Sequence, residues 1–390
     1  MYFYPPEDAG AVEIAADNIR LFDLNNAKNI TFKGIKFENV RRSAVKMTGC
    51  ENVTFENCGF KNTLMHGIYM TDCRNCTVTD CDFNHIGATG VILHGGDSET
   101  LEPGNNIVYN SYFDDFGYKQ KSYSPAVHIL GVGNIVKNCE MHNAPHNAIY
   151  FKGNDHKILN NEIYNVVKET LDSGAIYTGQ NYAYCGNEIA YNYIHDVKSS
   201  IEGESGFKAV GVYLDDFMSG VNVHHNLFSN VHCAFLLGGG SLNKVTDNII
   251  VNSTNGIRAD SRGVGWARAA AMHRKLIDIV PIMDNPAYDK YEHLKELPDL
   301  FDSQKAAYPY YNEIRDNLLY DNTNPLDISE YYGPKYYCRT ENNILADNGD
   351  SRVIFSDAEN GDYTLKSESA ILDELPGLAE INCLNTGMKD

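Results

Sequence analysis

Basic residues are scarce in this chain of 390 residues. Lysine and arginine together number 32, against 52 aspartates and glutamates, which gives a formal net charge of −20. Such a chain repels a phosphate backbone or an anionic lipid surface rather than neutralising it. The composition therefore argues against nucleic acid and against a membrane surface as partners.

Long apolar runs are also missing. The sequence contains no stretch of about 18 uncharged apolar residues, the length that a membrane-spanning helix needs. Met1 leads directly into Tyr2, Phe3 and Tyr4, so the N-terminus lacks both the basic and the apolar segment of an export signal. We expect a cytoplasmic protein, or a secreted or periplasmic one if a portion upstream of Met1 is missing.

Asparagine, by contrast, is abundant, and its positions reveal an internal repeat among the 42 residues of this type. The pattern Asn-apolar-x-apolar starts at Asn29, Asn52 and Asn75, at intervals of 23 residues. It returns at less regular intervals near Asn106, Asn134, His156, Asn187, Asn222, Asn243 and Asn312. Short alternating strands with Asn or Gly at the corners are typical of a parallel β-helix. We predict an all-β fold, a right-handed parallel β-helix of about ten coils, whose corner asparagines bond from coil to coil.

Two segments depart from the repeat. Residues 262–311 contain a run of high helix propensity followed by prolines and tyrosines, which predicts a helical insertion. This insertion either decorates the solenoid or lines its functional cleft. Residues 350–390 are predicted to form a C-terminal cap over the last coil, within a single domain that spans residues 1–390.

The repeat also accounts for most of the 10 cysteines. Cys73, Cys76 and Cys81 have a spacing that zinc sites use, but Cys73 and Cys81 each fall into a column with a cysteine of a neighbouring coil. We therefore predict small buried thiols in a reducing compartment, with no metal and no other cofactor.

The second strand of each repeat has an unusual outward face. Strand alternation fixes which of its residues point away from the core. In the middle coils the outward positions hold His128, Tyr150, Lys152, Tyr177, Tyr213 and Asp215. Aromatic rings beside hydrogen-bonding groups are typical of saccharide grooves, because flat sugar faces pack on rings. We expect an oligo- or polysaccharide to bind there.

Acidic residues cluster on two neighbouring coils of this face. Paired carboxylates that flank a glycosidic bond are the groups that hydrolyse it. We predict Asp172 and Asp215 as the catalytic pair, provided that the turn holding Asp172 folds back over the sheet. If it does not, Asp216, Asp260 or Glu169 is the partner of Asp215.

Further residues near this face are predicted to bind substrate. His146 flanks a proline turn one coil before Asp172, and Lys152 follows it closely. The predicted substrate-binding residues are His128, His146, Lys152, Glu169, Tyr177, Tyr213, Asp216 and Trp266.

Several of these segments carry a family resemblance. They are Ala144-Pro-His146-Asn-Ala-Ile, Lys152-Gly-Asn-Asp-His156, Asn161-Glu-Ile-Tyr, Glu169-Thr-Leu-Asp172-Ser-Gly-Ala-Ile-Tyr177, Val212-Tyr-Leu-Asp215-Asp216 and Arg262-Gly-Val-Gly-Trp266. Over roughly residues 1 to 345 the chain resembles bacterial right-handed parallel β-helix proteins related to glycoside hydrolase family 141, the β-helix fucosidase and xylanase family. The resemblance implies hydrolysis of a plant or host glycan by two aspartates, one as acid/base and one as nucleophile, with net retention. Its motifs match at Asp172 and Asp215.

Two other functions stay open. A polysaccharide lyase or uronan epimerase needs a base, for which Lys152, His146 and Tyr177 are available, and often a calcium ion. The acidic surroundings of the predicted cleft repel an anionic uronate, which disfavours this reaction. A non-catalytic glycan-binding solenoid would instead use the tyrosines and tolerate the loss of Asp172 and Asp215.

Overall fold

The computed structural model describes residues 19–201, 209–301, 307–382 and 385–389. Three parallel sheets run along the molecule, and the chain visits them in the same order in each of eleven successive coils. The predicted parallel β-helix is therefore confirmed, with eleven coils in place of about ten. The additional coil arises because strands form on both sides of the recognised repeats, from Phe22 at one end to Ala346 at the other.

The strands divide among the sheets as follows. Sheet 1 contains Phe22–Asn25, Val45–Thr48, Ile68–Thr71, Val91–Asp97, Val127–Val132, Ile149–Asn154, Ser173–Gly179, Ala209–Asp215, Cys233–Gly238, Asn255–Asp260 and Asn324–Ile328, with Glu102–Pro103 paired antiparallel to Val91–Asp97. Sheet 2 contains Lys28–Lys33, Glu51–Glu56, Thr77–Thr79, Ile107–Tyr109, Ile135–Lys137, Lys157–Leu159, Asn187–Ala190, Val221–His224, Lys244–Thr246, Glu313–Arg315 and Arg339–Glu341. Sheet 3 contains Lys36–Val40, Gly59–Thr63, Asp82–Ile86, Tyr112–Phe116, Glu140–His142, Glu162–Tyr164, Tyr193–His195, Leu227–Ser229, Ile249–Val251, Leu318–Tyr320 and Ile344–Ala346.

The remaining elements are short. A hairpin near the C-terminus pairs Phe355–Asp357 with Asp362–Leu365. The α-helices are Arg268–Arg274, Leu297–Leu300 and Ile371–Glu374, and the single π-helical turn described is Lys275–Ile279. The 3₁₀ turns are Val280–Ile282, Pro286–Lys290, Leu294–Glu296, Pro334–Tyr336, Ala358–Asn360 and Pro376–Glu380. Among the described residues, none of these helices has the length and apolarity to cross a membrane.

Stacked side chains of equal type fill the core. Phe37, Phe60, Phe83 and Phe113 point inward from successive strands of sheet 3, with ring centroids 4.8, 4.6 and 4.6 Å apart. These distances match the spacing of hydrogen-bonded strands, since each coil lies directly above the one before. Buried apolar ladders of this kind give the coils a common register, and that register places the outward residues in columns.

Asparagine ladders hold the corners together, as expected from the repeat. Asn161, Asn192, Asn226, Asn248 and Asn317 are linked in sequence by side-chain amide bonds of 2.9 to 3.1 Å. Each buried amide also caps backbone groups of neighbouring coils, so its polar atoms are satisfied without water. The abundance of asparagine is thus a property of the fold rather than of a reaction.

The cysteines lie in the core. Nine of them are described, and all nine are buried and free of disulfides. The backbone N–H of Cys58 lies 3.4 Å from the Sγ of Cys81, one coil further on. The column of stacked thiols predicted from the repeat is therefore present.

The insertion leaves coil 10 between its sheet 1 strand and its sheet 2 strand, and packs beside earlier coils. The hydroxyl of Tyr288 donates to the carbonyl of Ser98, 3.0 Å away, in coil 4. The backbone N–H of Tyr182, in coil 7, donates to Asp278 at 3.1 Å. The insertion therefore borders sheet 1 along the ends of its strands, and so forms one side of the face on which the predicted site lies.

Candidate active site

The outward column of sheet 1 has the register that the sequence predicts. His128 pairs with Tyr150, Tyr150 with Tyr177, and Tyr177 with Tyr213. These four residues therefore lie side by side on coils 5 to 8, separated by about one strand spacing of 4.8 Å. The column brings the segments of Asp172 and Asp215 onto neighbouring coils.

The tyrosine rings have a different role from the one expected from the sequence. Only 1% of Tyr213 and 8% of Tyr177 are exposed, so neither ring offers an open face to a sugar. The two rings meet edge to face at 5.5 Å and pack with Val210 and Leu236. Because the two rings are packed against other side chains, their hydroxyl groups are the parts that contact polar neighbours.

Asp172 lies at the edge of this tyrosine pair. Its backbone adopts the left-handed conformation, with a φ of 54°, and its side chain is exposed. The hydroxyl of Tyr213, 41 residues later, donates to Asp172 Oδ1 at 3.1 Å. The turn before the sheet 1 strand of coil 7 therefore lies within hydrogen-bond distance of a tyrosine on coil 8, the coil that carries Asp215.

Asp215 ends the sheet 1 strand of coil 8 and is 9% exposed. Its Oδ2 accepts from the hydroxyl of Tyr177 at 2.8 Å, while its Oδ1 accepts from the backbone N–H of Asp216 at 2.8 Å. Burial raises the pKa of Asp215, and the charge of Asp216 raises it further, against the opposing effects of Arg262 and the two tyrosine hydroxyls. Asp172 and Asp215 therefore contact the same pair of tyrosines, Asp172 from an exposed position and Asp215 from a buried one.

Arg262, the first residue of the predicted insertion, is a site residue that the sequence analysis missed. Its guanidinium is 5% exposed and donates to Asp215 at 2.6 Å, to Asp216 at 2.9 Å and to Asp260 at 2.8 Å. Burial alone would lower the pKa of Arg262, but the hydrogen bond and charge of Asp260 raise it, so the cation is permanent. One buried cation thus holds three carboxylates.

A glycine in the outward column makes room for this cation. Leu214 pairs with Leu237, which puts Gly238 beside Asp215, and Gly238 in turn pairs with Asp260. A Cβ on Gly238 would lie 2.7 Å from Arg262 Cζ. The order Asp, Gly, Asp in one column, followed two residues later by an arginine, is the sequence signal that could have identified the cluster.

The tyrosine hydroxyls remain protonated donors. Burial is the largest cause that raises the pKa of Tyr177, and the negative charge of Asp215 adds to it. Burial likewise raises the pKa of Tyr213, which faces the charges of both Asp215 and Asp172. Each phenol therefore stays protonated throughout the neutral pH range and is able to donate to its aspartate partner.

An exposed ring covers one end of the site. Tyr123, in the loop before the sheet 1 strand of coil 5, is 51% exposed. Its ring centroid lies 4.9 Å from His146, 5.7 Å from Tyr150 and 6.0 Å from Tyr177. No repeat position marks this residue, so the sequence pattern gave no signal for it. Tyr123 presents the open aromatic surface that had been expected of Tyr177 and Tyr213.

His146 lies beneath that ring and is 7% exposed. Its Nδ1 contacts the side-chain amide oxygen of Asn147, and the Ser173 hydroxyl is 3.4 Å from the same nitrogen. Burial lowers the pKa of His146, against the opposing effect of the Asn147 contact. His146 therefore lies below the edge of the groove, where its ring packs against Tyr123.

His128 and Lys152 lie further along the groove. The imidazole of His128 stacks on Tyr150 at 4.7 Å, and Lys152 Nζ lies 5.4 Å from the centre of the same ring. Burial lowers the pKa of His128 to about 4, and the charge of Lys152 contributes to this shift. His128 Nε2 is buried with no hydrogen-bond partner among the described residues.

The two remaining predicted residues lie at the margins. Glu169 is exposed and forms an ion pair with Lys121, with no hydrogen bond to either aspartate among the described residues. Trp266 is 76% exposed, and its ring lies 5.6 Å from Arg262 Cζ. It lines an open groove of about 470 Å³ together with Asp260 and Tyr331. The groove borders the carboxylate cluster on the side opposite Tyr123.

Comparison with known proteins agrees with this architecture. The model of the right-handed β-helix region matches residues 20–124 and 118–265. The chain belongs to the right-handed β-helix family. No curated protein matches the chain significantly.

Solved structures with similar chains include both hydrolases and lyases. A glycoside hydrolase shares 18% identity at a TM-score of 0.38, over 54% of this chain and 38% of its own. A PL6 family polysaccharide lyase from Pseudopedobacter saltans shares 12% identity at a TM-score of 0.43, over 89% of this chain and 96% of its own. A PL6 alginate lyase in complex with a trisaccharide shares 12% identity at a TM-score of 0.37, over 79% and 61%. Because all three TM-scores are below 0.5, the reaction has to be argued from the side chains of this β-helix.

Proposed function

We propose that this β-helix protein is a glycoside hydrolase that cleaves a glycosidic bond in an oligo- or polysaccharide. One observation carries the proposal. Asp172 and Asp215, on neighbouring coils, meet the adjacent rings of Tyr213 and Tyr177, and one carboxyl is exposed while the other is buried. Two carboxyl groups in contrasting environments are what an acid and a nucleophile require.

The environments assign a role to each carboxyl. Burial raises the pKa of Asp215, which favours the protonated form that a general acid needs. Its Oδ2 faces the hydroxyl of Tyr177, a partner that can accept a hydrogen bond as well as donate one. Asp215 therefore protonates the leaving oxygen, and Asp172, oriented by Tyr213, attacks the anomeric carbon. The Arg262 guanidinium, on Asp215 Oδ1, fixes the carboxyl plane.

The aromatic residues at the margins of the groove support a saccharide as the substrate. Tyr123, beside Tyr177, and Trp266, beside Arg262, are exposed rings, and sugar faces pack on such rings. The resemblance to glycoside hydrolase family 141 adds a plant or host glycan and net retention to the proposal. Retention requires the pair to lie about 5 Å apart when the substrate is bound.

The test is release of reducing sugar from xylan and pectin and of nitrophenol from fucosides, xylosides and galactosides. Asp172→Asn and Asp215→Asn are expected to lose roughly 100- to 10,000-fold in rate, the contribution of a positioned acid or base. Glu56→Gln is the matched control, because Glu56 pairs with Lys33 on sheet 2, away from the carboxyl pair, and the variant is expected to keep its activity. Proton NMR of the first product formed reports the anomer. Full activity in both aspartate variants would refute the proposal.

A second candidate reaction, β-elimination by a lyase, is favoured by His128. Its imidazole is neutral at physiological pH because burial lowers its pKa to about 4, and its Nε2 has no hydrogen-bond partner among the described residues. Lys152 beside it offers a charge for a uronate. Ultraviolet absorbance of an unsaturated uronate, abolished in His128→Asn and retained in Asp215→Asn, would identify the lyase. Glycan binding with neither signal would identify a binding solenoid.

A further inference from the structure

A cavity of about 300 Å³ lies at the corner between sheets 1 and 2, beneath the second half of the insertion. Gly186, Gly220 and Leu242 line it from the coils, and Tyr291 and His293 line it from the insertion. This volume is at the lower end of the range for small-molecule sites.

Two glycines form the floor of this corner cavity. Every coil here turns through a residue of left-handed conformation, and the neighbouring coils use Asp155, Leu242 and Tyr311 for it. Coils 7 and 8 use Gly186 and Gly220, with φ of 81° and 69°. A Cβ on Gly186 would collide with the side chain of Asp155, and a Cβ on Gly220 would collide with Cys185, so the floor requires glycine at both positions.

Stacked rings form one wall. His293 stacks on Tyr311 with centroids 4.1 Å apart, and Tyr311 stacks on Tyr337 at 5.0 Å. Glu296 anchors the stack, because it accepts from the Tyr311 hydroxyl at 2.7 Å. Tyr337, at the open end of the stack, is 58% exposed. A rigid, flat aromatic surface with one open end is therefore available beside the floor.

The charged side chains of the corner cavity are paired. Lys244 Nζ lies 3.4 Å from Glu313, and Arg339 Nη1 lies 3.6 Å from the same carboxylate. Lys290 is paired with Asp155. Arg339 also pairs with Glu341, and Glu292 lines the cavity as well, so every lysine and arginine of the walls has a carboxylate partner. That chemistry suits the hydroxyl groups of a neutral sugar better than a phosphate or a uronate.

We propose that the corner cavity is a second saccharide-binding site, which takes one or two units of a neutral glycan chain on Tyr337. It is separate from the carboxyl pair, because Phe217 stacks on Tyr182 between Asp215 and Gly220, and Tyr182 packs on Phe301 of the insertion. The site binds a glycan whichever reaction Asp172 and Asp215 perform. It tethers the same polymer that the groove of sheet 1 receives.

Affinity electrophoresis in native gels that contain xylan, galactomannan or hydroxyethylcellulose tests the proposal. All proteins carry Asp215→Asn, so that the polymer is not cut during the run. At least one of the polymers is expected to retard this background protein, and Tyr337→Ala is expected to weaken the apparent affinity up to about tenfold, the effect of one lost aromatic contact. Tyr337→Phe keeps the ring and is expected to keep the retardation.

Tyr109→Ala is the matched control, since Tyr109 is also a partly exposed tyrosine but lies on sheet 2 of coil 4. Retardation of Tyr337→Ala equal to that of Tyr109→Ala overturns the proposal, and so does the absence of retardation of the background protein by all three polymers. In protein with Asp215 intact, Tyr337→Ala is expected to hydrolyse small aryl glycosides at the rate of the unaltered enzyme. Failure of the catalytic proposal shows in that assay and failure of the second site shows in the gel, so the two are distinguishable.

Discussion

Gly238 lies directly beneath Arg262, close enough that a Cβ on the glycine would meet the guanidinium carbon at 2.7 Å. The glycine sits between Asp215 and Asp260 in one outward column, so it creates the space in which a cation reaches both carboxylates. Gly238 has no side chain, yet it thereby determines how Arg262 holds Asp215, the proposed general acid.

Gly238→Ala is accordingly expected to displace the guanidinium and lower kcat by more than tenfold, because misplacement of a positioning group raises the barrier. The midpoint of thermal unfolding should fall as well, because the displaced guanidinium loses its contacts with the buried carboxylates. Gly333→Ala is the control, as nothing lies within 4 Å of a Cβ at that glycine. Equal kcat values for the two variants would contradict the role given to Gly238.

The sequence was sufficient to predict the outward columns of sheet 1, but not the arginine that binds their carboxylates. Alternation and the repeat place Tyr177, Tyr213 and Asp215 correctly, because coils of equal length stack in register. Arg262 reaches the column from an insertion with no repeat, and Tyr123 from a loop. Periodicity does not determine the path of such segments, so residues on them are found only once the tertiary packing is known.

Burial of the tyrosines was missed for a related reason. An outward position on an isolated strand is exposed, yet Tyr213 is 1% exposed because neighbouring rings of the same column and Leu236 close around it. Strand alternation predicts whether a side chain points toward or away from the core, but it does not predict what covers the outer face of the sheet. The functional part of these residues therefore proved to be the hydroxyl rather than the ring.

Arg262→Gln should expose the electrostatic role of the cation. The substitution leaves Asp215, Asp216 and Asp260 without a shared positive partner, and breaking a buried ion pair costs about 3 to 5 kcal/mol. The free carboxylates repel one another when ionised, so the loss should grow as pH rises from acid to neutral. Urea unfolding at several pH values measures it.

Arg74→Gln provides the comparison, because Arg74 forms an exposed ion pair with Glu102. Surface pairs contribute about 1 kcal/mol or less, so this variant should remain close to the unaltered protein at every pH. A loss in Arg262→Gln that is small, or independent of pH, would show that the three carboxylates do not depend on the guanidinium.

Tyr123→Ala tests the rim of the groove. Its ring touches His146, Tyr150 and Tyr177 but neither proposed catalytic aspartate, so its removal should raise KM by about five- to tenfold with little change in kcat. Steady-state kinetics on an oligosaccharide measures both constants. Tyr109→Ala controls for the loss of a surface tyrosine. A fall in kcat at constant KM would instead place Tyr123 in the chemical step.

A final prediction concerns His156, a buried histidine that takes the place of an asparagine in a corner ladder. His156 Nδ1 accepts from the backbone N–H of Asn134 at 3.1 Å, and the backbone N–H of His156 donates to Asn187 Oδ1 at 3.0 Å. Burial lowers the pKa of His156 to about 4, since the core has no place for an imidazolium. The stability that this neutral ring contributes is present above its ordinary pKa and is lost as pH falls through the lowered value.

His156→Asn restores the asparagine of the ladder and removes the titrating group. The variant should therefore lose less stability than the unaltered protein between about pH 6.5 and 4, by at most about 3 kcal/mol. Urea unfolding across that pH range measures the difference, with His273→Asn, at an exposed helical position, as the control. Parallel pH profiles for His156→Asn and the unaltered protein would mean that His156 does not limit acid stability, and that His66 or His128, whose pKa values are lowered in the same way, does so instead.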